Sequence, residues 1–147
     1  MTWSNRHIGI PHEDLGRSRD GADCWGLACI IYAEELGISL PDYLGYGSAE
    51  EHGEIAALID GARLSPLWVP VHGPAIAFDI AVFRRGRLST HLGIVVRHGL
   101  MIHMAAGDAA KVQDYRLPPW SSRFNGHFRH HSRAIERPVQ IISKAAP

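Results

Sequence analysis

The apolar pattern of the chain changes period once, near Pro70, and this confines it to folds in which helices precede a sheet. From Asp23 to Leu36 the apolar residues Leu27, Ile30, Ile31 and Leu36 recur at near-helical spacing, and Gly37 supplies a stop. A second helix is expected over 48–63, where Ser48 and Glu51 form a capping box and Gly61 follows the last turn. Beyond Pro70 the segments "IAFDIAVF" (76–83), "HLGIVV" (91–96) and "LMIHM" (100–104) are short, apolar and β-branched. Separated by "RRGRLST" and "RHG", they read as consecutive antiparallel strands. "RPVQIIS" (137–143) is a candidate edge strand, and the residues before Asp23, with Pro11, Gly16 and Gly21, read as an irregular leader. The order is therefore α+β, without internal repeats.

At 147 residues and 46% hydrophobic, the chain is expected to form a single domain spanning 1–147, burying roughly 70% of its unfolded surface. Fifteen basic residues balance fifteen acidic ones, so no basic field points to nucleic acid. No apolar run approaches the roughly 18 residues of a membrane span, and "MTWSNRHIGI" lacks the form of a signal peptide. Synthesis in the cytoplasm and no membrane insertion are the expectations.

Chemistry centres on "DGADCWGL" (20–27), where Asp23 stands as N-cap and Cys24 as the first helical residue. A cysteine is a nucleophile only as thiolate, and a helix start and a neighbouring imidazole both favour that form. The helix-start amides also suit an oxyanion. Cys29, five residues on, points about 140° away and reads as a core residue.

Histidines come from the strands. If "RHG" (97–99) is a three-residue connection with Gly99 left-handed, Val96 faces Leu100 and Gly93 faces His103. His91 and His103 then share a face as diagonal neighbours, about 7–8 Å apart at the backbone. His91 would be a general base and His103 would orient its ring, with Gly93 keeping the face open.

These residues resemble the NlpC-type cell-wall peptidases of the papain-like superfamily, most closely the phage tail and gene transfer agent branch. The resemblance covers about residues 6–107 and rests on "DCWGL" (23–27), "FDIAVF" (78–83), "HLGIVV" (91–96) and "MIHM" (101–104). It implies a papain-like fold with N-terminal helices packed on a central antiparallel sheet, and Cys24, His91 and His103 as catalytic residues. It places Asp23 at the amine of the substrate peptide. Trp25 stands where the family often has serine, as in the phage-like branch, and His12 where it has a substrate-contacting tyrosine; both are candidate substrate contacts. The implied reaction is hydrolysis of a γ-D-glutamyl-diamino acid amide in peptidoglycan stem peptides, with no cofactor and no metal. The implied partners are tail hub or baseplate proteins of a phage-like particle. Weighed against it are a silent structural tail-hub module using the cleft for docking, and an acyltransferase or amidase using the same triad.

Residues 108–147 read as a C-terminal extension, a possible docking arm. Its "HFRHH" run, with His127, His130 and His131, lacks the closing ligands of a zinc site and reads as a docking surface. "RRGR" (84–87) reads as a solvated turn; His52, His72 and His98 read as solvated residues; Trp3, Trp68 and Trp120 read as core or rim packing.

Overall fold

The computed structural model describes residues 2–42, 67–85, 88–105 and 107–134. The helix expected over 48–63, the candidate strand 137–143, His52 and the centre of the 84–87 turn lie outside the described residues.

Asp23 begins the first helix as the sequence predicts. Its backbone is extended, and its Oδ1 accepts the Gly26 N–H at 2.7 Å, satisfying one of the donors a helix start leaves unpaired. The helix, α1 (Cys24–Ile31), continues as a π-helical turn, Tyr32–Leu36, and stops at left-handed Gly37. Seven of the eight α1 residues are buried, so α1 is a central element rather than an amphipathic surface helix. Gly26 explains part of this: a Cβ there would lie 2.0 Å from the Gly16 carbonyl oxygen, so only glycine lets the leader cross so closely. The leader itself contains a two-stranded ribbon, β1 (Arg17–Ser18) with β2 (Gly21–Ala22).

The other layer is a six-stranded antiparallel sheet of β3 (Trp68–Val71), β4 (Ile80–Arg85), β5 (Leu88–Arg97), β6 (Leu100–His103), β7 (Lys111–Asp114) and β8 (Phe124–His130). Its spatial order is β3-β8-β4-β5-β6-β7. The central meander was legible; its entry was not. The predicted strand from residue 76 starts only at Ile80, because Ile76–Asp79 form a turn in which the Asp79 carboxylate accepts the Ile76 N–H at 2.9 Å and Phe78 adopts a φ of 74°. The Tyr32 hydroxyl donates to the Phe78 carbonyl, tying the end of the helical segment to this turn.

Strand alternation sorts the core into two clusters. Ile80, Val82, Leu92, Ile94 and Ile102 pack with Leu27, Ile30 and Ile31 of α1, each such side chain contributing about 1.5–3 kcal/mol by leaving water. Ala81, Phe83, Val95, Met101 and Tyr115 form a smaller cluster with Trp120 and Phe124.

The sheet does not end near residue 107. β7 extends it on one side, and β8 returns between β3 and β4, so both Lys111–Asp114 and Phe124–His130 are strands of the sheet rather than an arm attached to it. This corrects the reading of "HFRHH" as a docking surface. β8 is paired on both edges, and His127, Arg129 and His130 on it are buried, so these polar side chains need partners inside. The Tyr115 hydroxyl accepts the Gly99 N–H and is hydrogen-bonded to His127 Nε2 at 2.8 Å. Arg129 makes a two-pronged pair with Asp79 at 2.8 Å, and His130 packs edge-on against Trp68. No helix among the described residues is long and apolar enough to cross a membrane.

Candidate active site

His91 and His103 meet. Their strands pair with Ile94 opposite Ile102 and Val95 opposite Met101, and the same register carried one residue further sets Gly93 against His103. His91 Nε2 lies 2.9 Å from His103 Nδ1. The route to this register differs from the expected one. The connection is the two residues His98–Gly99, with Arg97 paired to Leu100 in place of Val96, and an irregularity between Val95 and Arg97 absorbs the extra residue. The bulge therefore restores the face that a regular two-residue turn would have reversed. Gly99 is left-handed, as expected, with φ 91°.

Gly93 is needed for space: a Cβ there would lie 2.3 Å from Met101 Sδ and 3.2 Å from His103 Cβ. Around the pair stand two residues that the sequence reading did not assign to the site. His103 Nε2 lies 2.7 Å from Gln113 Oε1, and the Trp120 indole N–H donates to the same oxygen at 3.2 Å. The Trp120 ring stacks on His91, with centroids 4.8 Å apart and planes 27° apart, and meets His103 edge-on. His103 is fully buried, and burial lowers its pKa, partly offset by the Gln113 hydrogen bond.

The cysteine comes from the helix layer. Cys24 opens α1, which packs against β5, the strand carrying His91. Asp23, expected at a substrate amine, is 2% exposed, and its carboxylate is engaged inside the protein. Oδ1 accepts from Gly26 N–H and pairs with Arg17 Nη1 at 2.8 Å, while Oδ2 accepts the Leu15 N–H at 3.1 Å. Its charge is thus already matched by Arg17, and the Gly26 amide is committed to the cap.

Trp25, a candidate substrate contact by sequence, is 5% exposed, with its N–H donating to the Pro41 carbonyl at 2.8 Å and its ring edge-on to Trp68, so the structure places it in the core. His12 is partly exposed, with Nε2 3.6 Å from Asp14 Oδ1, and its backbone bridges to Ala22, two residues before Cys24. The Cys29 thiol is pushed up to about 12 by burial, which disfavours the thiolate that a nucleophile needs. Among the described residues no group of three or more His, Cys, Asp or Glu side chains could hold a metal ion.

The site thus sets a cysteine at a helix start beside a sheet that carries a hydrogen-bonded histidine pair. No family model matches the chain. Among curated proteins it is similar to the murein DD-endopeptidase and murein LD-carboxypeptidase of Escherichia coli K12, with 23% identity over 126 residues, 86% of this chain and 58% of that protein. The γ-DL-glutamyl hydrolase of Bacillus subtilis is 24% identical over 143 residues, 97% of this chain and 31% of the relative. The chain therefore spans less than two thirds of either relative's length. Among solved structures, the NlpC/p60 domain of the peptidoglycan hydrolase SagA superposes with a TM-score of 0.59 at 18% identity, covering 86% of this chain and 92% of that domain. A lipoprotein-like NLP/P60 protein of Staphylococcus aureus Mu50 gives 0.62 at 24%, covering 86% of this chain and 38% of that one. The fold is that of the NlpC/p60 domains.

Of the residues the sequence resemblance singled out, the structure joins His91 to His103 by a hydrogen bond and sets Cys24 at the head of α1. Gln113 and Trp120 were missed because only the tertiary register reveals them. Gln113 pairs with Met101 on β7, a four-residue strand too short for a clear alternation, and Trp120 begins a one-turn helix, Trp120–Arg123, after two prolines.

Proposed function

We propose that the protein is a cysteine peptidase of the NlpC/p60 type that hydrolyses an amide bond in peptidoglycan stem peptides, with Cys24 as nucleophile, His91 as base and His103 as its orienting partner. The observation that carries this reading is the 2.9 Å hydrogen bond joining His91 to His103, with α1, headed by Cys24, packed against β5, the strand of His91. His91 Nδ1 takes the thiol proton as Cys24 attacks the scissile carbonyl. Amides at the start of α1 steady the oxyanion, and the imidazolium returns its proton to the leaving amine. His91 then deprotonates a water that hydrolyses the thioester and frees Cys24. His103 accepts from His91 Nε2 throughout, keeping the ring oriented.

The bond in view is the γ-D-glutamyl-diamino acid amide, in keeping with the name of the Bacillus relative, with the partly exposed His12 as a candidate contact on the substrate side. The "DCWGL" segment, with Trp25 after the cysteine, is similar to the phage tail branch, and supports delivery on a phage-like tail or gene transfer agent particle.

The test is digestion of purified peptidoglycan by the wild type and by Cys24→Ala, with released muropeptides identified by mass spectrometry. Cleavage at one stem-peptide bond, absent with the variant, establishes the activity and names the bond; a DD cross-link would replace the γ-D-glutamyl assignment. No release by folded wild type from walls of several stem types overturns it in favour of a structural module. Delivery is tested by sedimentation of producer lysates: the protein is expected with particles, and recovery solely as free protein rejects that part.

A further inference from the structure

The catalytic reading requires His91 to offer a lone pair at Nδ1, and nothing in an isolated imidazole ensures this, because either ring nitrogen can carry the proton. The tautomer has to be imposed by partners. His103 alone cannot impose it, since it too has two tautomers and the pair could donate in either direction. A group with a fixed polarity must close the chain.

That group is Trp120. An indole N–H only donates, so the Gln113 atom it meets at 3.2 Å is the amide oxygen and not the amide nitrogen. The same oxygen lies 2.7 Å from His103 Nε2, which must therefore carry a proton. Neutral His103 then has its lone pair at Nδ1, 2.9 Å from His91 Nε2, so His91 donates from Nε2 and keeps its lone pair on Nδ1. Resting on the catalytic assignment above, we propose that Trp120 and Gln113 are positioning residues that fix the tautomer of the His91–His103 pair, the indole N–H setting the amide and the amide oxygen setting both rings. The stacked Trp120 ring also holds the plane of His91, so one side chain governs both the orientation and the polarity of the base.

Polarity and shape can be separated. Trp120→Phe keeps an aromatic ring over His91 but removes the N–H, leaving the Gln113 amide able to rotate and present its NH2 to His103. Gln113→Glu offers oxygen at both positions, so rotation no longer matters. The first measurement is long-range 1H–15N NMR of the histidine rings at pH 8, made in a Cys24→Ala background so that no thiol exchanges a proton with His91. It needs no substrate, so its outcome stands whether or not the peptidase reading survives.

With Trp120 and Gln113 intact, both rings are expected with the proton on Nε2. Trp120→Phe is expected to give a mixture of tautomers, and adding Gln113→Glu is expected to restore the Nε2-protonated form. With Cys24 present, Trp120→Phe should lower kcat on peptidoglycan by roughly three- to tenfold, a partial loss of the correct tautomer, with KM little changed and recovery in the double variant. A role limited to packing would give no recovery. Unchanged tautomers in folded Trp120→Phe overturn the proposal. Should Trp120→Phe prove unstable, Gln113→Met, which keeps the side-chain length and removes the acceptor, must also shift the tautomers or the proposal fails.

Discussion

Two cysteines five residues apart on one helix are expected to answer a thiol reagent in opposite ways. Cys29 has its thiol pushed up to about 12 by burial and directed at the Pro41 carbonyl, whereas Cys24, itself only 7% exposed, occupies the helix start. Brief iodoacetamide treatment near pH 7 followed by peptide mass mapping should label Cys24 and spare Cys29, and His91→Ala should slow labelling at Cys24. Equal labelling of both thiols would remove the case for Cys24 as the nucleophile. Gly93 gives a second residue-scale prediction. Gly93→Ala places a methyl group against Met101 Sδ and His103 Cβ, so the flexible methionine must give way while the His103 backbone cannot. A loss of about 1–3 kcal/mol is expected in urea unfolding, with activity falling further than stability accounts for. Residue types at the site were legible because a cysteine after a capping aspartate and histidines at alternate strand positions are local patterns. Exposure was not: Trp25 sits beside the nucleophile in sequence yet faces the core, as a neighbour on a helix that is buried almost all round readily does.

At the scale of elements, the start of α1 depends on one carboxylate that performs two tasks. Asp23 caps the helix through Gly26 and neutralises Arg17, whose side chain is only 14% exposed. Asp23→Ala removes both interactions, together with the hydrogen bond from Leu15 N–H, and leaves a poorly solvated guanidinium without its carboxylate, a loss of about 2–4 kcal/mol. Asp23→Asn retains the capping oxygen and should cost about half as much; chemical denaturation of the two variants measures the difference. An Asn variant as damaging as Ala would show that the Arg17 charge, not the cap, dominates. The β5–β6 hairpin shows how an element can be read correctly for an incomplete reason. "RHG" predicted the face shared by His91 and His103, but the structure reaches it through a shorter turn and a bulge between Val95 and Arg97. Turn chemistry at Gly99 was visible in the sequence, whereas a bulge carries no residue signature of its own and is decided by the pairing of the whole strand.

For the whole molecule, the return of β8 into the middle of the sheet decides both what the sequence concealed and how the fold should respond to acid. A strand rich in histidine and arginine looks like surface when read alone; between β3 and β4 it brings His127, Arg129 and His130 inside. Burial lowers the pKa of His103, His127 and His130, with His127 reaching about 4, where neighbouring His98 adds to the effect of burial. In the unfolded chain these rings take up protons near the ordinary value of about 6.5. Between about pH 6.5 and 4 the unfolded state therefore binds more protons than the folded one, and stability must rise with pH across that window and be lost as pH falls through it. His127 alone should account for on the order of 2 kcal/mol of that loss, discounted for its partial contact with solvent. His127→Gln keeps an oxygen able to accept from the Tyr115 hydroxyl but cannot titrate, so Tm measured from pH 7 to 4 should decline less steeply than in the wild type. Equal slopes for the two proteins would mean that the His127 ring gains solvent before it gains a proton, and that the acid sensitivity resides in His103 and His130 instead.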